Sequence, residues 1–261
     1  MSAIESGPPL LKLSGIRKAF GAVSALNGVD LEVWRPEVVA LLGDNGAGKS
    51  TLIKIISGVI TPDSGEITIE GELVRFTGPD GPKRLGIETV YQDLALISTF
   101  DTIENIYLGR EMKASGGLRL DHSGMAREAH KHLTALNIKL PSLRKRVRYL
   151  SGGQRQAVAI SRATGWGAKL IIMDEPTAAL GVRESHQVLE LVKSLRAANV
   201  SIIVISHNVE HVFEISDRIV VLRHGRPVAT LRTHETTHEE VVRYITGAAG
   251  NEVGAQRAPA I

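Results

Sequence analysis

Short apolar runs alternate with amphipathic stretches along most of the chain. Val38–Leu42 and Leu170–Met173 are continuous apolar runs, a pattern typical of strands buried on both faces of a parallel sheet. Ser201–Ile205 and Arg218–Leu222 predict two further strands, and the residues Arg183–Ala198 predict a helix before them. This alternation of strands and helices favours an α/β fold in which helices flank a parallel sheet on both faces.

The N-terminal part of the chain has a different strand pattern. Polar and apolar residues alternate over Leu10–Val33, with turn signals at Ser14-Gly15 and Asn27-Gly28. The alternation returns over Glu66–Phe76, around a hairpin signal at Glu70-Gly71. These patterns predict an antiparallel β subdomain beside the parallel sheet.

The middle of the chain predicts a mostly helical insert, roughly residues 94–160. Either Asp101 or Thr102 caps its first helix, and either Asp121 or Ser123 caps the next. The second helix is indicated by residues that recur at helical spacing: Met125, Ala129, His132, Leu133 and Leu136.

Composition places these elements in one ordinary globular domain. We expect residues 10–246 to form it, with flexible ends at 1–9 and 247–261. The net charge of +3 does not call for an acidic polymer, and 4% aromatic residues argue against base stacking, so we expect no nucleic-acid partner. The absence of cysteine excludes disulfides and thiolate catalysis. The first residues do not form a signal peptide, and no stretch approaches the roughly 18 apolar residues that a membrane span needs.

A glycine-rich segment follows the strand Val38–Leu42 and precedes a predicted helix from Lys49 to about Ser57. It fits the phosphate-loop pattern G-x-x-x-x-G-K-[ST] at every position, with Gly43, Asp44, Asn45, Gly46, Ala47, Gly48, Lys49 and Ser50. Its glycines allow backbone N–H groups to surround phosphate oxygens, and Lys49 adds an ammonium between the β- and γ-phosphates. We expect the Ser50 hydroxyl to bind Mg²⁺ and Thr51 to contact the α-phosphate side. The alternative, a chance glycine-rich turn, is disfavoured by the flanking strand and helix.

Two carboxylates, Asp174 and Glu175, follow the apolar run Leu170–Met173. A carboxylate at the end of a buried strand is costly unless it meets a cation, so we interpret Asp174 as a Mg²⁺ ligand. The alternative for Asp174 is a residue that caps the turn into Pro176. Glu175 is our candidate for polarising the water that attacks the γ-phosphate.

The sequence LSGGQ lies between these two motifs, at Leu150, Ser151, Gly152, Gly153 and Gln154. Ser151 is a good N-cap for a helix over about Gly152–Ala163, and the two glycines leave N–H groups open to an anion; the alternative is a flexible helix start. Together with the phosphate loop and the Asp-Glu strand end, LSGGQ resembles the signature of the ATP-binding cassette (ABC) ATPases. The resemblance covers about residues 10–245. It implies that the signature, including Gln154, completes the ATP pocket of a second subunit, with two ATP molecules sandwiched head-to-tail.

The same resemblance assigns roles to three other residues. His207 would be the switch histidine that hydrogen-bonds the γ-phosphate, although a lone histidine is more often structural. Gln92 would contact Mg²⁺ and the attacking water and act as the hinge of the helical insert. Phe20 is the candidate for stacking on adenine, and a core phenylalanine on an edge strand is its alternative.

Several segments narrow the resemblance further. Residues Glu88–Gln92, Ile103–Glu111 and Ala178–Ser185 are similar to ABC importers of ribose, xylose and fructose. Gly181 stands where most family members have aspartate, which leaves its effect on the contact between subunits open.

This resemblance implies a peripheral ATPase subunit on the cytoplasmic face of the inner membrane. It would use ATP and Mg²⁺ to drive a monosaccharide importer. Its expected partners are transmembrane permease subunits, a second cassette that we take to be a second copy of this chain and, indirectly, a periplasmic or extracellular sugar-binding protein.

Other functions remain as alternatives. A soluble ABC ATPase of DNA repair or translation would carry a long coiled-coil insertion or tandem cassettes, and this sequence has neither. A nucleotide sensor without turnover is disfavoured by Glu175 and His207. A transporter subunit for a different substrate is a further alternative.

The basic residues before the signature form a solvated face or contact the permease or a phosphate across the dimer: Arg144, Lys145, Arg146 and Arg148.

Overall fold

A computed structural model describes residues 7–114 and 119–248. The predicted flexible ends fall almost entirely outside these residues. Within the described part of the chain, no helix has both the length and the apolar character that a membrane crossing requires.

The centre of the fold is a six-stranded sheet in the order β10-β9-β3-β8-β7-β6. Five of its strands are parallel: β3 (Val38–Leu42), β6 (Ile87–Val90), β7 (Leu170–Asp174), β8 (Ser201–Ile205) and β9 (Arg218–Arg223). The sixth, β10 (Arg226–Arg232), is antiparallel to β9. A turn at His224-Gly225 joins these two strands.

Helices cover both faces of this sheet: α1 (Lys49–Ile56), α2 (Asp80–Arg84), α6 (Val182–Ala197), α7 (Val209–Ile215) and α8 (His238–Thr246). Every residue of β3 is buried, as its continuous apolar sequence predicts, and every residue of β8 is buried as well. Alternate residues of β3 face opposite sides: Leu41 packs with α1, and Leu42 packs with α7 and α8. The predicted α/β fold is confirmed.

A second, antiparallel sheet has the order β2-β1-β4-β5: β1 (Leu11–Phe20), β2 (Val23–Val33), β4 (Ser64–Ile69) and β5 (Glu72–Val74). The predicted hairpin at Glu70-Gly71 is confirmed. The two predicted turns at Ser14-Gly15 and Asn27-Gly28 are wrong, because both lie inside strands. Each places one extra residue in the β1–β2 ladder and forms a bulge, with a positive φ of +61° at Gly15 and +87° at Gly28.

The helical insert between β6 and β7 contains α3 (Thr102–Tyr107), α4 (His122–Ala135) and α5 (Gly152–Thr164). Asp101 caps α3 with a capping box, and Asp121 caps α4, which decides both predicted alternatives. The three helices share an apolar core that includes Ile103, Met125, Leu133 and Val158. The opposite side of α5 packs on the parallel sheet through Ile160, so α5 connects the insert to the sheet that carries the nucleotide motifs.

The bulge in β1 packs closely against β4, which yields a stability prediction. Gly65 has φ +101°, and an added Cβ would lie 2.7 Å from the carbonyl oxygens of Ser14 and Gly15. We expect Gly65→Ala to lower the free energy of unfolding by about 2–4 kcal/mol, from left-handed backbone strain plus overpacking. The control is Gly21→Ala, where φ is +58° but no atom lies within 4 Å, and only the strain of about 1–2 kcal/mol applies. Equal losses of the two variants in urea unfolding would contradict this packing.

Candidate functional site

The parallel sheet brings the predicted nucleotide motifs to one edge. Because β3, β8 and β7 are neighbours and run in the same direction, their carboxyl ends lie side by side. The phosphate loop follows β3, Asp174 ends β7 with Glu175 directly after it, and His207 follows β8. The sheet therefore brings together side chains that are far apart in the sequence.

The backbone of the phosphate loop depends on two of its glycines. Gly43 has φ +144°, and a Cβ there would collide with the carbonyl oxygen of Leu222. Gly48 has φ +105°, and its Cβ would lie 2.7 Å from the carbonyl oxygen of Ala25. Gly48 is also the N-cap of α1 and supplies no side-chain hydrogen bond. The first N–H groups of α1 consequently have no side-chain cap, which suits an anion.

The ammonium of Lys49 folds back over the loop. Its Nζ donates hydrogen bonds to the carbonyl oxygens of Gly43 (2.6 Å) and Asp44 (2.9 Å), and the residue is only 7% exposed. Burial lowers the pKa of this ammonium, and the charges of Glu175, Asp44 and Asp174 oppose that shift. A partly desolvated cation with acidic neighbours gains from meeting phosphate oxygens.

Asp174 and Glu175 are both half-buried beside this cation. Burial raises the pKa of each carboxyl, while the charges of Lys49 and His207 favour the ionised forms. Two partly desolvated carboxyl groups beside each other offer oxygen donors of the kind that Mg²⁺ prefers.

The Glu175 backbone adopts a left-handed conformation, with φ +51°. Its N–H donates to the carbonyl oxygen of Ile205 in β8 (2.9 Å), which fixes the residue to the neighbouring strand. Such a conformation costs a non-glycine residue about 1–2 kcal/mol, and here it directs the carboxyl towards His207. Oε1 is buried and lies 3.2 Å from Nε2 of His207, close enough for an ion pair with a protonated imidazole, but the two atoms are not aligned for a hydrogen bond. The carboxylate thus keeps an acceptor available for a ligand or water.

His207 lies in a loop that side-chain hydrogen bonds hold in place. The Ser206 hydroxyl accepts from the N–H of Asn208 (3.1 Å), and Asn208 caps α7 by accepting from the N–H of His211 (3.1 Å). The imidazole of His207 is 56% exposed, so it is accessible to a ligand.

A hydrogen bond that the sequence did not predict joins α7 to the turn after Glu175. Thr177 Oγ1 and His211 Nδ1 lie 3.1 Å apart. Glu175, Thr177, His207 and His211 all line an open cleft of about 820 Å³. Thr177 and His211 come from different elements, and neither belongs to a sequence motif that would have predicted their contact.

The structure places the remaining predicted nucleotide contacts at the surface. Phe20 ends β1 and is 51% exposed, and Lys18 Nζ lies 5.7 Å from the centroid of its ring. Because β1 lies between β2 and β4, the alternative of a core phenylalanine on an edge strand does not hold. Gln92 is exposed just after β6, while Ser50 and Thr51 lie in the first turn of α1. Their nucleotide and Mg²⁺ contacts stay predictions.

The signature forms a well-capped helix start. The Ser151 hydroxyl accepts from the N–H of Gln154 (3.3 Å), and Gln154 Oε1 accepts from the N–H of Ser151 (3.0 Å). The predicted cap is confirmed. A Cβ on Gly152 would lie 2.7 Å from Leu180 Cδ2, so this glycine permits close packing rather than a flexible helix start.

Two clefts lie beside the nucleotide motifs of the described residues, and the signature lines neither of them. A cleft of about 330 Å³ is lined by residues 44–47, 223–224 and 245–247, and the cleft at Glu175 and His207 also excludes the signature. The basic residues before the signature are exposed, which fits both a solvated face and a contact with a partner. One of them, Arg144, lies 3.5 Å from Asp101.

Comparisons with known proteins agree with this geometry. The family described as "ABC transporter" matches residues 26–178. The xylose/arabinose import ATP-binding protein of Sulfolobus acidocaldarius is 47% identical, over 94% of this chain and 96% of its own length. The fructose import ATP-binding protein of Rhizobium meliloti is 44% identical, over 92% and 95%. A ribose import ATP-binding protein of Rubrobacter xylanophilus is also 44% identical, and the match spans 47% of that protein.

Solved structures show the same fold. The crystal structure of an ATP-binding cassette of an ABC transporter in its ADP conformation has a TM-score of 0.79 and 26% identity, over 94% of this chain and 98% of its own. The dimeric structure of a bacterial ABC transporter cassette has a TM-score of 0.73 and 26% identity, over 85% and 98%. With its phosphate loop, signature and Asp174-Glu175 strand end in this fold, the chain belongs to the ABC transporter family, as an ATP-binding cassette.

Proposed function

We propose that this cassette hydrolyses ATP and thereby drives an importer of a monosaccharide. The observation that carries the ATPase proposal is the meeting of Lys49, Asp174, Glu175 and His207 at one edge of the sheet. The sugar proposal is supported by relatives at 44–47% identity that are named for the import of xylose or arabinose and of fructose.

The phosphate loop would bind the nucleotide through its N–H groups, α1 and Lys49. Phe20 would stack on adenine, and Thr51 would face the α-phosphate. Mg²⁺, which would neutralise phosphate charge, fits the hydroxyl of Ser50 and the carboxylate of Asp174, with the amide of Gln92 as a further ligand.

Hydrolysis requires an aligned water and an acceptor for its proton. Glu175, whose Oε1 is buried and lacks a hydrogen-bond partner, would orient the water and take its proton as the oxygen attacks the γ-phosphorus. The bond from the γ-phosphorus to the leaving oxygen of ADP then breaks. His207, which is exposed beside Glu175, would hold a γ-phosphate oxygen during this step.

The complete unit would contain two cassettes and a membrane permease. Residues 10–246 would act as one domain, and the signature of each copy would close the ATP site of the other. Solved cassettes in dimeric form support this arrangement. The helical insert and the Gln92 segment would dock on permease subunits at the cytoplasmic face of the inner membrane, while an extracytoplasmic sugar-binding protein delivers the substrate.

The role of Glu175 gives a kinetic prediction. We expect Glu175→Gln to retain ATP binding and to hydrolyse ATP at least about 100-fold more slowly, a loss of about 2.7 kcal/mol in transition-state stabilisation. Lys49→Ala, in contrast, should lose ATP binding, while Lys54→Ala on the exposed side of α1 should leave both properties unchanged. The measurements are equilibrium binding of a fluorescent ATP analogue and steady-state phosphate release. Near-normal turnover of Glu175→Gln would place the base elsewhere.

The importer role predicts what the protein binds in the cell. Tagged Glu175→Gln protein, solubilised in detergent from native membranes with ATP, should carry a polytopic permease that mass spectrometry identifies. Lys49→Ala protein treated in the same way is the control and should retain less permease, since it cannot reach the ATP-bound state. Recovery of soluble or nucleic-acid-associated proteins alone would refute the transporter proposal and favour a soluble ABC ATPase.

A further inference from the structure

Glu184 extends from the first turn of α6 to the beginning of the signature helix α5. A Cβ added to Gly153 would lie 3.0 Å from Glu184 Cβ, and one added to Gly152 would lie 3.6 Å from Glu184 Oε2. The Glu184 side chain therefore packs against the two glycines that begin α5.

The groups that stabilise the charge of Glu184 are those that the signature would offer to a phosphate. The Ser151 hydroxyl is the main reason that the pKa of the Glu184 carboxyl lies below its usual value, and the N–H groups of Gly181 and Gly153 and the charge of Arg155 add to this shift. Because the Ser151 oxygen accepts from Gln154, its proton is free to be donated. The first turn of α5 contains no acidic residue of its own, so this carboxylate comes from another helix.

Gly181 is the N-cap of α6, and it has no side chain that could accept a hydrogen bond from the first turn of this helix. The Gly181 N–H instead lies 3.5 Å from Glu184 Oε2. One carboxylate consequently lies at the beginning of two helices, α6 and α5, where both helix dipoles favour a negative charge.

We propose that Glu184 occupies the anion site of the signature in the separated subunit and must leave it when the ATP of a second copy enters. This inference rests on the proposed function, in which Ser151, Gly152 and Gly153 receive the partner's γ-phosphate. Two anions cannot share these donors, because like charges at contact distance repel. Glu184 therefore raises the ATP concentration at which two cassettes close, and it prevents the signature from holding other anions in the meantime.

The test compares two charge-neutralising variants of α6 in the Glu175→Gln background. Glu184→Gln keeps the shape of the side chain and removes its charge. Glu190→Gln is the matched control, because Glu190 lies on the same helix and is exposed, paired with Lys193 at 2.8 Å and away from the signature. The measurement is the ATP concentration that gives half-maximal dimer by sedimentation velocity, together with ATP affinity at a protein concentration too low for dimerisation.

We expect Glu184→Gln to dimerise at an ATP concentration about 3- to 10-fold lower than its parent, and Glu190→Gln to match the parent. The difference should shrink as salt is raised, since it originates in charge repulsion; a merely structural role would not show this dependence. ATP affinity of the separated subunit should be the same in all three proteins.

Three outcomes would overturn the inference. The first is an ATP concentration for half-maximal dimer that is equal or higher in Glu184→Gln than in its parent, which would mean that Glu184 has no effect on the closed dimer or stabilises it. The second is a changed ATP affinity of the separated subunit. The third is a Glu175→Gln parent that binds ATP but never dimerises. This result would also refute the head-to-tail dimer on which the inference rests, whereas the first two outcomes would refute only the role of Glu184.

Discussion

The parallel pairing of β3, β8 and β7 is the constraint on which the site depends. Leu41 of β3 and Asp174 of β7 are both register partners of Ile205 in β8. This register sets the phosphate loop, Glu175 and His207 at the same height along the sheet. A shift of one residue in the pairing would move every side chain of a strand to the opposite face of the sheet. Because both faces are packed against other elements, such a shift is strongly disfavoured. The sheet thus holds charged groups in half-buried positions, which would be unfavourable for any one of these charges alone.

The second structural element of this account is α5. One of its faces packs in the core of the helical insert through Val158, and the other packs on the sheet through Ile160. A movement of the insert must therefore move the signature relative to the phosphate loop of the same chain. At its N-terminus, the contact with Glu184 adds an electrostatic link to α6, which follows directly after the turn that contains Glu175. Nucleotide chemistry and signature position are connected through this short path.

The sequence predicted most of the fold because most of its signals are local. Buried strands, capped helices and the phosphate loop each carry a periodicity or motif within a few residues. Gly15 and Gly28 were mistaken for turn positions, since a glycine with positive φ has the same sequence signature in a bulge and in a turn. The left-handed backbone of Glu175 has no local signal, because it depends on a hydrogen bond to a neighbouring strand. The contact of Glu184 with Gly152 joins elements that are separate in the sequence.

The central claim is that the ATP site is completed by the signature of a second copy. Since the chain contains no cysteine, copies with Asn45→Cys and copies with Ser151→Cys can be mixed in the Glu175→Gln background and treated with a short bismaleimide. The account predicts a cross-link between the two kinds of copy with ATP and Mg²⁺, and its loss with ADP or when Lys49→Ala is added. An ATP-saturated sample without the cross-link, or equal cross-linking in the absence of nucleotide, would contradict it.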